Sequence, residues 1–215
     1  MATVTLWQNV AVAMQSALSA SQSISSITKA NPGVVTYAGA DPSNGDYIKL
    51  TVLGMSQVNN RIFRVANVNT GANTLELEGE NTTAYDTFTS GSLEIVTFGT
   101  TLSTLTDLSA SGGDFDFIDT TTIHDNVKSQ IPGSANPSSF SFGSIWDPAD
   151  SGLIALKSAS DSKAERAMRF TFSNAKKLLF NGYVGATLLP TGNAQDKVTT
   201  QVVITMYGKP TTYAT

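Results

Sequence analysis

The sequence contains no cysteine and a single histidine, His124. The first absence excludes a disulfide framework, a thiolate nucleophile and any cysteine-ligated zinc or iron–sulfur site. The second excludes multi-histidine metal sites and leaves one imidazole for base chemistry. Charge is also scarce, at 14% of residues, and the apolar runs are short and broken by Thr, Ser, Asn and Gly. None approaches the roughly 20 apolar residues that a membrane-spanning helix requires. The apolar stretch near the start, "MATVTLWQNVAVAMQSALSASQS", has no Lys or Arg before it, so it reads as mature protein rather than a secretory signal. No cofactor is expected.

What is present is a 215-residue chain with 40% hydrophobic residues, enough to bury a core. Its net charge of -4 offers no overall attraction to nucleic acid, which needs clustered Lys and Arg. The charge is unevenly placed. Residues 98–150 hold seven aspartates, among them Asp107, Asp114, Asp116, Asp119 and Asp125, against Lys128 alone. Residues 151–215 reverse the balance with eight cations, including Lys157, Arg166, Arg169, Lys176 and Lys177, against three acids. Opposite faces of this kind can meet within one chain or between copies.

Period-two alternation dominates. In "KVTTQVVITMYG", Val198, Thr200, Val202, Ile204 and Met206 share one side of a strand. "RAMRFTF" and "LLFNGYVGATLL" repeat the device, predicting a three-strand meander. One helix is predicted over 148–159, with Asp147 as cap, Pro148 at the first helical position and Leu153 and Leu156 on one face. Residues 25–97 read as a separate unit. Turn clusters such as "DPSNGD" and "NTGANT" separate the short runs "YIKLTVLG", "RIFRVANV" and "TLELEG", which suggests a small barrel or sandwich inserted into a domain made of 1–24 and 98–215.

Several constellations resemble sites without carrying chemistry. Asp119, His124 and Asp125 match no metal spacing and read as a surface loop whose carboxylates satisfy turn amides. Glu76 and Glu78 share a strand face, with Glu80 beyond, and read as solvated surface rather than a glycosidase pair. Asn81 fits a glycosylation pattern that is silent without secretion, and Ser111 to Gly113 lacks the lysine of a phosphate loop. Phe115 and Phe117 alternate with Asp114 and Asp116 as in a half-buried strand. No enzymatic activity is expected.

From about residue 115 to 210 the chain resembles the tail tube proteins of long, non-contractile-tailed, lambda-like bacteriophages. The likeness rests on the order of "IDTTTIHDNVKSQIPG", "SSFSFGSIWDPADSGLIAL", "RAMRFTFSNAKKLLFNGYVGATLL" and "KVTTQVVITMYGKP". The resemblance implies a mainly β fold: a tail-tube β-sandwich with one flanking α-helix, its first strands supplied by "TVTLW" and "AVAMQSAL". Residues 25–97 resemble small β modules of phage tails named for likeness to a half-domain of ubiquitin-activating enzymes, and with no cysteine no ubiquitin transfer follows.

The implied function is a structural virion protein of the tail, made in the host cytoplasm. Six copies would form a ring, and rings would stack into a tube through which the genome passes without specific DNA binding. The implied partners are the chain itself, a tape-measure protein, and tail-tip and neck or terminator proteins. Asp107, Asp114, Asp116, Asp119 and Asp125 are candidates to line the lumen or to meet Lys157, Arg166, Arg169, Lys176 and Lys177 of an adjoining copy. The alternative is a binding module in which Tyr37, Tyr47 and Tyr85 of the inserted barrel stack on a host glycan or bind a host protein.

Overall fold

The computed structural model describes residues 5–214. In chain order, β1 (Ala11–Met14) and β2 (Ala17–Leu18) precede β3 (Gln22–Ile27), β4 (Val34–Ala38), β5 (Tyr47–Leu53), β6 (Ile62–Asn69), β7 (Thr74–Leu77) and β8 (Ser90–Thr97). Then come β9 (Thr100–Leu102), β10 (Leu105–Ser111), β11 (Phe115–Asp119), β12 (Gln130–Ala135) and β13 (Ser139–Ile145). The chain ends with α1 (Ser151–Asp161), β14 (Glu165–Thr171), β15 (Lys177–Ala186), β16 (Thr199–Met206) and β17 (Thr211–Tyr213). With 48% of residues in strands and 7% helical, the protein is mainly β, as the period-two runs predict.

Strands β3 to β8 close on themselves in the order β8-β3-β4-β7-β6-β5 and back to β8, forming a six-stranded barrel. Closure leaves no free edge among these strands, so every ladder is completed internally. Its interior is filled by Val35, Tyr37, Ile48, Leu50, Val52, Phe63, Val65, Leu75, Leu77 and Leu93.

The remaining large sheet runs β10-β13-β16-β15-β14-β1-β9, with β17 added to β15. The meander predicted from sequence is present: β14, β15 and β16 are antiparallel neighbours, and Thr200, Val202 and Ile204 face the core. The sheet folds over its own core. Phe140 on β13 lies 5.4 Å from Phe170 on β14, ring centre to ring centre. Three strand spacings separate β13 from β14, roughly 14 Å in a flat sheet. Only a sheet bent into two facing layers brings those rings together, which gives the expected sandwich.

Helix α1 closes one side, burying Leu153, Leu156 and Ala159 against this core. Gly152 is required where the first turn meets β9, because a Cβ there would lie 2.8 Å from the Thr101 carbonyl oxygen. The helix begins three residues later than predicted. Its cap is Asp150, whose carboxylate accepts from the Leu153 amide at 2.8 Å. Asp147 accepts instead from the Ala149 amide at 2.9 Å, and its carbonyl accepts from the Asp150 amide at 3.1 Å. That Asp-Pro turn occupies the place the sequence assigns to the first helical turn. Of the expected first strand "TVTLW", Thr3 and Val4 lie outside the described residues and Thr5 to Trp7 form no strand.

Candidate assembly surfaces

Four surfaces bear on function. The first joins barrel and sheet. Tyr47, Ile62 and Val96 on the outside of the barrel pack with Ala167, Leu179 and Tyr213 on the outside of the sheet, with Leu18 and Phe98 beside them. Polar bonds ring this third core. The Glu165 carboxylate accepts from Lys49 Nζ at 2.8 Å, Asn181 Nδ2 at 2.7 Å and Tyr183 Oη at 2.8 Å. The Tyr213 hydroxyl accepts from the Arg64 amide at 2.7 Å, and burial pushes its pKa up to about 12. Arg169 turns into the same junction, 4.9 Å above the Phe98 ring and 5.5 Å above Tyr47, so it belongs to no open basic face.

Glu78 and Glu80, expected to be solvated, are engaged on the barrel. Glu78 takes a bidentate grip from Arg64. Glu80 takes one from Arg61 at 2.5 and 3.1 Å, together with the Tyr85 hydroxyl at 2.6 Å. Glu76 accepts from Asn67 Nδ2 at 2.7 Å. The oppositely charged runs "RIFR" and "ELEGE" on neighbouring strands are the signal that could have found these pairs. The barrel tyrosines are also spent. Tyr37 is 2% exposed with its hydroxyl on Asp41, Tyr47 is buried in the junction, and Tyr85 is half-buried on Glu80. None is free to stack on a sugar, which removes the residues on which the binding-module alternative was built.

The second surface is the outer face of β10, β13, β16 and the end of β15. Register aligns Ser109, Ser141, Val203 and Gly185 in one row and Ser111, Ser139, Thr205 and Tyr183 in the next. A third row is Asp107, Gly143 and Gln201. Besides Val203 and Gln201, these rows hold glycine and hydroxyl-bearing residues, with no Lys or Arg and one carboxylate. Asp107 accepts from the Gly143 amide at 3.0 Å. Among the described residues β10 pairs only with β13, so that flank is open; on the other flank the ladder between β14 and β15 ends at Tyr183, and beyond it the Ala186 amide donates to Ser160 Oγ of α1 at 3.0 Å.

The third surface is a two-stranded ribbon, β11 with β12, which among the described residues pair only with each other. Asp114 and Asp116 are exposed on it. Its apolar residues are exposed too: Phe115, Phe117, Ile118 and Ile131 are each more than half open, and Ile123 and Val127 beyond them more so. Asp119 ends β11 and Asp125 lies in the connecting loop, both bonded to turn amides. The Thr121 hydrogen bonds hold the Asp119 pKa below its usual value, and the Thr122 amide and hydroxyl do the same for Asp125. His124 sits exposed in the same loop, and no cluster able to hold a metal ion occurs among the described residues. The segment "SQIPGSANPSS", read from sequence as a loop, contains β12.

The fourth surface is a cleft of about 650 Å3 between the N-terminal segment, the start of β15 and β17, lined by Trp7, Phe172, Lys176, Lys177, Leu178 and Tyr213. Of the other predicted cations, Lys157 pairs with Asp161 one turn along α1, and Arg166 donates to the Glu165 carbonyl at 3.0 Å. The acidic and basic candidates are therefore not brought together within one chain.

A mainly β subunit with an open sheet edge and an apolar ribbon without cover is the kind of protein that other copies complete. The chain belongs to the phage tail tube protein family, whose model matches residues 53–215. It is a structural component of the virion tail that assembles with itself into a tube. The matched stretch includes β6, β7 and β8, so the second half of the barrel lies within it. No curated protein matches the sequence.

Proposed function

We propose that six copies close into a ring, that rings stack into a hollow tube, and that the face made by β10, β13, β16 and the end of β15 lines the lumen through which the genome leaves. The observation that carries this reading is the cation-free composition of that face across three aligned rows. Protein grips DNA by neutralising phosphates with Lys and Arg, so a wall of hydroxyls, glycine, Val203 and Gln201, with no cation and one carboxylate per copy, gives the duplex nothing to hold. The open β10 flank of the same strands supplies an edge for ring closure to join.

In this arrangement the chain before β3 and residues 98–215 form the tube domain, and β3 to β8 with their loops form the inserted barrel, fixed to the sheet's outer surface by the Tyr47 and Tyr213 junction. Asp107 is the lumen carboxylate. A tape-measure protein inside the tube and tip and neck proteins at its ends complete the tail. Two measurements test the proposal. Negative-stain microscopy of the purified protein is expected to show rings or tubes about one subunit ring wide. The double variant Ser141→Lys, Gln201→Lys is expected to assemble normally yet slow DNA ejection, because it puts cations along the wall. Normal ejection from tubes carrying both lysines overturns the lumen assignment.

A further inference from the structure

The β11–β12 ribbon is apolar on both of its faces. Consecutive strand residues point to opposite sides, so Phe117 and Ile118 lie on different faces, and Ile118 stands opposite Ile131 in the ladder. All three are more than half exposed, so neither face is covered by the chain that carries it. A phenylalanine so placed keeps in water roughly half of the 150–250 Å2 that an aromatic side chain buries when fully covered.

Two clefts are available to receive such a ribbon. One, of about 390 Å3, lies between β1 and β10 and is lined by Val10, Val12, Leu105 and Leu108 with Asp107. Its only charge is negative, and it would set a carboxylate against the acidic ribbon. The other is the 650 Å3 cleft, where Trp7, itself 55% exposed, leans on Phe172 with ring centres 5.3 Å apart. Its charges are Lys176 and Lys177, and among the described residues neither has a carboxylate partner. Asp114 and Asp116 on the ribbon likewise have no cationic partner; Asp116 accepts only from Asn136 Nδ2 at 3.1 Å. Sign, apolar character and lack of cover thus agree for one pairing and disagree for the other.

Resting on the tube reading, we propose that the ribbon of one copy seats in the Trp7, Phe172 and Leu178 cleft of another, with Phe115 and Phe117 on the apolar floor and the long Lys176 and Lys177 side chains reaching round the ribbon's edge to Asp114 and Asp116 on its other face. The contact is head to tail, because ribbon and cleft are different patches of the same molecule. Repeated, it propagates without limit, as stacked rings require.

The absence of native cysteine makes the test direct. The double variant Phe117→Cys, Lys176→Cys, polymerised and then oxidised, is expected to give a ladder of disulfide-linked multimers on a denaturing gel. Each single variant is expected to stop at dimers. A second experiment avoids reliance on one geometry. Asp114→Lys with Asp116→Lys is expected to lower polymer yield at least tenfold, and adding Lys176→Glu and Lys177→Glu is expected to restore it. Thermal unfolding confirms that each subunit is folded. Tubes that assemble normally, give no ladder and ignore the charge reversal overturn this contact while leaving the tube reading standing. Wild-type protein that never polymerises overturns both.

Discussion

Glu165 sits at the first residue of β14 and ties three elements together through bonds to Lys49 on β5 and to Asn181 and Tyr183 on β15. Burial by itself raises a carboxyl pKa, yet here the hydrogen bonds from Lys49, Asn181 and Tyr183 outweigh it and hold Glu165 below its ordinary value. A carboxylate whose folded pKa is depressed stabilises the fold above its unfolded pKa, about 4.3, and that contribution is lost as pH falls through the folded pKa. Replacing Glu165 by Gln is therefore expected to cost about 2 kcal/mol at pH 7. That is less than a fully buried pair would lose, because the Glu165 side chain keeps 22% of its surface in water. Urea unfolding should show a constant gap between wild type and variant from neutral pH to about pH 5, closing in more acidic solution. A gap that widens with acid contradicts the assignment. None of these partners was legible beforehand. Lys49 and Glu165 are 116 positions apart, and strand alternation says which side a residue faces but not what another sheet places against it.

At the scale of elements, α1 shows how a local signal can be right in kind and wrong in place. Asp147, Pro148 and Asp150 each suit a helix start, and the turn that Asp147 builds with the Asp150 amide passes the cap to the second aspartate. Asp150→Ala is expected to cost about 1 kcal/mol, read by thermal or urea unfolding, with Asp147→Ala costing less. Equal losses would return the cap to Asp147. The β14 to β16 meander was readable because one face is buried and the other wet, so that alternation reports the core directly. The β15 segment Leu178, Leu179 and Phe180 breaks that alternation for a reason the sequence does not display: the barrel docks on the outer side and packs over Leu179. The ribbon fails in the opposite sense. "DFDFID" has the pattern of a half-buried strand, yet among the described residues no strand besides β12 pairs with it. The missing half of its environment belongs to another molecule, which one chain's sequence and structure carry only as exposed apolar surface.

For the whole molecule, stability is distributed unequally and the inequality can be measured. The sheet around Phe140, Phe170 and Phe180 and the closed barrel each have a buried core, whereas the ribbon has a ladder and no core beneath it. An isolated two-stranded ribbon is marginal in water, because two strands cannot shield their own backbone bonds or bury enough apolar area to offset their ordering. In the free subunit, the amides of β11 and β12 are therefore expected to exchange with solvent through local opening, while those of β15 and β16 open only with global unfolding. Covering the ribbon with a neighbouring copy couples its opening to loss of the assembly contact. On polymerisation its amides should slow by roughly a hundredfold or more, and those of the barrel interior strand β5, already enclosed, should not change. Hydrogen exchange read by mass spectrometry before and after assembly separates these outcomes. Equal ribbon protection in free subunit and tube would mean the strands stand unaided, and the exposed Phe115, Phe117, Ile118 and Ile131 would then need an explanation other than contact between copies.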